Sequence, residues 1–178
     1  FVGNVVANIL EYNRKYQDFL KAQKKQGLEI IGYARKSTCK TNEAVRMRLL
    51  EKMVKNLQDR SCVQKVFVLT SSNAHQSIKK RDRNGKIVEK TDGTTQDLLQ
   101  YLKTTKKRVI LVVLDYAGLT TNTEDLRDFL REYTNVVQII VDRLPVTTEV
   151  EIFNTKLLLE DREAIKRFDC RTPPVHRS

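Results

Sequence analysis

Ile30-Ile31-Gly32-Tyr33-Ala34-Arg35-Lys36-Ser37 decides how the chain is read. The residues 28–34 predict a first strand that gives way to a loop, with an arginine two residues before a serine at the junction. A hydroxyl beside a cation suits attack on a phosphodiester, because the cation offsets the charge that develops on phosphate oxygens. An arginine and a serine two residues apart are by themselves weak evidence, since a lone serine after a strand is more often a turn or helix-capping residue.

The segments that follow alternate between the two periodicities. Asn42 predicts a helix cap, with Glu43 in the first turn and an apolar stripe through Val45, Leu49, Leu50, Met53, Val54 and Leu57 to about Arg60. Val63–Leu69 reads as a second strand and Thr94–Lys103 as a short helix buried through Leu98, Leu99 and Leu102. Val109–Leu114 is continuously apolar, the mark of a strand covered on both faces. Asn122 or Thr123 caps a further helix, which buries Leu126, Phe129 and Leu130, and Val136–Val141 is a fourth core strand. Strand alternating with helix predicts an α/β fold: a three-layer sandwich with a mostly parallel central sheet.

Outward from this core the reading is less regular. Residues 9–26 predict an amphipathic helix stopped at Gly27, an appendage (1–27) that docks on the main domain (28–168) or pairs with a partner helix. Ser71–Gly93 is a long polar connection carrying Lys79, Lys80, Arg81, Arg83, Lys86 and Lys90; connections of this length are usually functional or disordered. After Leu144-Pro145, Glu149–Phe153 predicts a short edge strand, Leu157–Phe168 a last helix and 169–178 a loose tail.

Composition narrows the partners. The 178 residues carry 33 Lys+Arg against 22 Asp+Glu, a net charge of +11, so a polyanion is the natural partner class. Cys39, Cys62 and Cys170 form no Cys-x-x-Cys pair, and only His75 and His176 accompany them, so neither a zinc site nor a disulfide framework is indicated. That usage favours a reducing compartment, the cytoplasm or nucleus. No apolar stretch approaches the roughly 20 residues needed to span a bilayer. The chain begins at Phe1 rather than Met, which leaves room for an upstream module. No glycine-rich phosphate loop, acidic receiver cluster or Cys-x5-Arg phosphatase loop is present, and no cofactor or metal is expected.

In parallel α/β sheets the functional crevice lies at the carboxyl ends of the strands. Chain order brings Arg35 and Ser37 to that edge after the first strand, and Asp115 after the apolar third.

Tyr33-Ala34-Arg35-Lys36-Ser37 resembles the Tyr-x-Arg-x-Ser start of the resolvase/invertase-type serine recombinase catalytic domain. The resemblance covers roughly residues 28–144. It includes Leu114-Asp115-Tyr116-Ala117-Gly118-Leu119-Thr120, which is similar to the family's Leu-Asp-Arg-Leu-Gly-Arg-Ser segment. It implies Ser37 as a nucleophile forming a phosphoseryl link to DNA, Arg35 on the scissile phosphate and Asp115 as the acidic partner. It also implies metal-free strand exchange in a dimer or tetramer, and a mobile genetic element as origin. Lys36, Arg46, Lys79, Lys80, Arg81 and Arg83 are the candidate DNA contacts.

The departures bear on activity. The two arginines of the family segment fall on Tyr116 and Leu119, and a third falls in Asp92-Gly93-Thr94-Thr95, where an acid stands in place of the cation. Arg46 takes the place of a family glutamine. In other phosphoryl-transfer enzymes one arginine is worth roughly 10³–10⁵ in rate. Impaired strand exchange is therefore the expectation. Its rival is a DNA- or protein-interaction module that kept the scaffold and lost the chemistry. An unrelated flavodoxin-like domain would differ in sheet order from the resolvase arrangement, where the first strand is interior and a late strand runs antiparallel.

Overall fold

The alternate residues of Glu29–Arg35 (β1) feed two separate cores. Ile31 and Tyr33 enter one, Ile30 and Ala34 the other, so the strand is covered on both faces. The computed structural model describes residues 2–36, 42–70, 75–83, 88–143 and 150–169, with side chains from residue 9 onward.

The remaining strands are Lys65–Leu69 (β2), Gly93–Thr94 (β3), Val109–Val113 (β4), Val136–Asp142 (β5) and Val150–Asn154 (β6). They form one six-stranded sheet in the order β3-β2-β1-β4-β5-β6. All pairings are parallel except β5 with β6. β1 therefore lies inside the sheet, and the last strand closes one edge in the opposite direction.

Val2–Lys25 (α1) and Glu43–Arg60 (α2) cover one face through Tyr16, Leu20, Leu50, Val54 and Leu57. Thr95–Thr104 (α3), Thr123–Glu132 (α4), Thr155–Glu160 (α5) and Arg162–Lys166 (α6) cover the other through Leu98, Leu102, Leu126, Phe129, Leu158 and Ile165. The chain is thus an α/β sandwich of three layers.

Local chemistry explains most boundaries. Asn42 caps α2 by accepting from the Val45 amide at 3.1 Å, and Asn122 caps α4 through the Glu124 and Asp125 amides. Gly27, at φ +87°, ends α1, with the Leu28 amide reaching back to the Gln23 carbonyl at 3.2 Å. A Cβ added at Gly32 would lie 3.1 Å from Leu57 Cδ1, so glycine there lets α2 sit close on β1.

Four features differ from the sequence expectation. Helix α1 begins at Val2 rather than near residue 9, because Val2, Gly3, Val5 and Val6 are weak helix formers that hide the continuation. β3 is only two residues long and carries no periodicity to read. The last helix is broken at Asp161, whose carboxylate accepts from the Glu163 and Ala164 amides and starts a new helix. The polar connection after β2 is built into the domain over its described parts, with Ile78, Arg81, Asp82 and Val88 all buried. Ser77 Oγ and the Ile78 amide both donate to the Asp125 carboxylate at 3.0 Å, which fastens that connection to α4.

Helix α1 is anchored through Tyr12 and Tyr16. Tyr16 Oη lies 2.9 Å from Ser61 Oγ, which in turn donates to Asp142 at 3.2 Å. Arg60 reaches the same Asp142 carboxylate at 2.7 Å, and the Val150 amide donates to Tyr12 Oη at 2.8 Å.

Candidate active-site edge

Two strand ends meet at the carboxyl edge of the sheet. Arg35 closes β1, and its Nε donates to the Ala117 carbonyl at 2.9 Å. Ala117 belongs to a 3-10 turn, Tyr116–Gly118, that follows β4 directly. Asp115 opens this turn with extended backbone and is exposed, and its carbonyl accepts from the Gly118 amide at 3.1 Å. The structure thus joins Arg35 to the turn that carries Asp115, 80 positions further along the chain. Ser37 lies outside the described residues. Lys36 is half-buried just beyond β1.

Beneath the edge is a buried polar assembly that the sequence did not reveal. Tyr33 Oη lies 2.7 Å from Thr95 Oγ1, and Arg81 Nη1 approaches the same phenol at 3.4 Å. Arg81 also donates from Nε to the Gln76 carbonyl at 2.9 Å and from Nη1 to the Leu119 carbonyl. Asp82 accepts from the Thr70 amide at 3.1 Å, Thr70 Oγ1 at 3.0 Å, the Thr95 amide at 3.2 Å and Thr95 Oγ1 at 2.6 Å. A buried carboxylate given this many donors is satisfied without solvent. Burial pushes the Tyr33 phenol above its ordinary value, against the pull of Arg81, so it serves as a neutral hydrogen-bonding hub.

The basic residues of the 75–83 segment separate accordingly. Arg81 has 0% exposure, so it is not a surface contact for DNA here; its guanidinium ties two loops together from inside. Lys79 is ion-paired with Glu132, and that hydrogen bond raises its pKa. Lys80 and Arg83 are exposed. Arg46, on α2, is half-buried, and its Nε has no hydrogen-bond partner among the described residues.

The positions where the recombinase segment has arginines are core positions here. Tyr116 is 7% exposed, with ring centroids 5.2 Å from Phe168 and 6.1 Å from Phe153. Burial raises the Tyr116 phenol, and the neighbouring Glu151 carboxylate adds to that effect. Leu119 is 1% exposed. Asp92 accepts the Val66 amide at 2.8 Å at the start of β2, a structural role.

Two arginines nevertheless stand over the Tyr116 ring: Arg143 at 5.7 Å and Arg167 at 5.4 Å from its centroid. Neither follows from motif reading, because both lie outside the two segments that carry the recombinase-like motifs, 33–37 and 114–120. A tyrosine flanked in space by cations from a strand end and a helix end far along the chain leaves no local trace.

Among the described residues no group of three or more His, Cys, Asp or Glu assembles as a metal site would require. Among them, too, no helix is long and apolar enough to cross a membrane. No protein-family model matches the sequence, and no curated protein is significantly similar to it.

Proposed function

We propose that this chain is a diverged resolvase/invertase-type serine recombinase domain that holds DNA along the carboxyl edge of its sheet and is impaired in strand exchange. The observation that carries the reading is the sheet order. β1, bearing Tyr33-Ala34-Arg35, is interior, and the last strand runs antiparallel to an otherwise parallel sheet. The hydrogen bond between Arg35 and the Asp115–Gly118 turn supports it, because it brings the cation and the carboxylate-bearing turn to one place. The net charge of +11 supports a polyanionic partner.

In this reading Ser37 Oγ attacks phosphorus, the bond from phosphorus to a deoxyribose oxygen breaks, and that oxygen leaves with a proton as a hydroxyl. The phosphoseryl ester conserves the phosphodiester for religation. In the same reading Arg35 meets the charge on the nonbridging oxygens. Two further cations are missing at Tyr116 and Leu119, which serve packing instead. Slow or absent turnover follows, since fixed guanidinium donors supply much of the stabilisation in metal-free phosphoryl transfer. Self-association into a dimer or tetramer belongs to the same proposal.

The second reading is a non-catalytic DNA- or protein-interaction module. The observation in its favour is that Tyr116 and Leu119 are now integral to the core.

Trapping on nicked suicide DNA substrates separates these readings. A covalent adduct that survives denaturation with wild type, and not with Ser37→Ala, establishes the nucleophile. No adduct alongside salt-sensitive binding by both proteins supports a binding module. Absence of both adduct and binding removes DNA from the account and leaves protein interaction.

A further inference from the structure

Strand alternation puts Arg35 and Arg143 on the same side of the sheet. Arg35 follows Ile31 and Tyr33 in the α3–α6 core. Asp142 shares the α1/α2 side with Ile140 and is held there by Arg60, so Arg143 projects to the opposite side with Val141. Its guanidinium accordingly meets Tyr116, which belongs to that core. β1 and β5 are the two neighbours of β4. Arg35 and Arg143 therefore bracket the turn after β4 from its two flanks, one through the Ala117 carbonyl and the other through the Tyr116 ring.

The three arginines around this turn are not equivalent. Arg167 forms a two-oxygen ion pair with Glu151, which offsets its charge. Arg143 forms no ion pair among the described residues. Packing against the ring face orients a guanidinium while leaving its charge and its N–H edge available for an anion.

We infer that Arg143 is a phosphate-binding residue of this edge, acting with Arg35 on the sugar-phosphate backbone of bound DNA. The inference rests on the DNA-binding reading above. It places a cation where motif comparison finds only losses. Two inter-strand spacings separate β1 from β5, about 10 Å across the sheet. A nucleic-acid strand covers that span in about three steps of rise at ~3.4 Å each, so one backbone can touch both guanidiniums. Asp115, exposed between them, disfavours a second phosphate directly over the turn and so favours a backbone passing along the edge.

The test is fluorescence anisotropy of a labelled DNA duplex with the full chain across a sodium chloride series. Wild type, Arg143→Ala, Arg143→Lys and Arg131→Ala are compared, Arg131 lying in the last turn of α4 at the opposite end of the sheet. Losing one phosphate contact lowers the slope of log affinity against log salt by about 0.9. The expected result is that drop for Arg143→Ala, recovery of the slope in Arg143→Lys, and no change for Arg131→Ala. A slope for Arg143→Ala equal to that of wild type overturns the inference and leaves the DNA-binding reading standing. Equal losses in the Ala and Lys variants also overturn it, because the residue then acts through Tyr116 packing rather than charge. No binding by wild type at low salt overturns the DNA-binding reading and this inference with it.

Discussion

Arg81, with no exposed surface, donates to the Leu119 carbonyl and so joins the polar connection after β2 to the turn after β4. Through the same guanidinium it touches Tyr33, the first residue of the pentamer that ends at Ser37. An arginine that composition assigns to the surface is in fact a beam under the candidate site.

Arg81→Ala should therefore destabilise the fold by about 2–4 kcal/mol, since it leaves the buried Leu119 carbonyl without this donor and opens a void beneath Tyr33. Arg83→Ala, two residues on and exposed, should stay within about 0.5 kcal/mol of wild type. Urea unfolding of the two variants checks the contrast. Equal midpoints would contradict the buried role of Arg81.

Tyr33→Phe removes only the hydroxyl that links Thr95 and Arg81. A loss of about 1–2 kcal/mol is expected, from one buried hydrogen bond and the partners left behind. The same urea experiment measures it, and a neutral result would mean that Thr95 is fully satisfied by Asp82.

Asp142→Ala should loosen α1 as well as lower stability. Its carboxylate gathers Arg60 and Ser61, and Ser61 passes the link to Tyr16 on α1. Breaking a buried ion pair by removing one partner typically costs about 3–5 kcal/mol. Limited proteolysis should then cut within residues 2–25 sooner than in wild type. Unchanged cleavage there would show that α1 is held by Leu20 and its apolar neighbours alone.

Tyr116→Arg, which introduces the residue found at this place in the recombinase segment, should not raise adduct formation on suicide DNA above the wild-type level. The position is enclosed by Phe153 and Phe168 and already faces Arg143 and Arg167, so a third guanidinium meets both burial and like charge. A stability loss of about 3 kcal/mol or more is expected, read by thermal unfolding. Adduct formation above the wild-type level on suicide DNA would overturn this.

Alkaline titration should end in unfolding rather than in simple ionisation. Tyr16, Tyr33, Tyr101, Tyr116 and Tyr133 all have phenols raised above the ordinary tyrosine value, burial being the leading cause in each. Raised folded-state values mean that stability is fully present below the unfolded value and is lost as pH climbs past it. Phenolate absorbance and circular dichroism should therefore change together above about pH 10, the ordinary tyrosine value. Phenolate formation well before the loss of structure would contradict this.

What the sequence determined by itself is the periodic part of the molecule. The apolar runs at Ile30–Ala34 and Val109–Val113, and the cap-and-stripe of α2 and α4, are local signals, because strand and helix faces repeat within a few residues. They place Arg35 and Asp115 at strand ends, and the structure joins Arg35 to the turn that Asp115 opens. Only the tertiary structure decided which cations face solvent. Arg81 and Arg83 are two positions apart in one polar stretch, yet one is enclosed beneath Tyr33 and the other is exposed. Arg143 and Tyr116 meet across adjacent strands from positions 27 apart. Contacts of that kind depend on sheet order and on which face a residue takes, and a chain read one residue after another does not contain either directly.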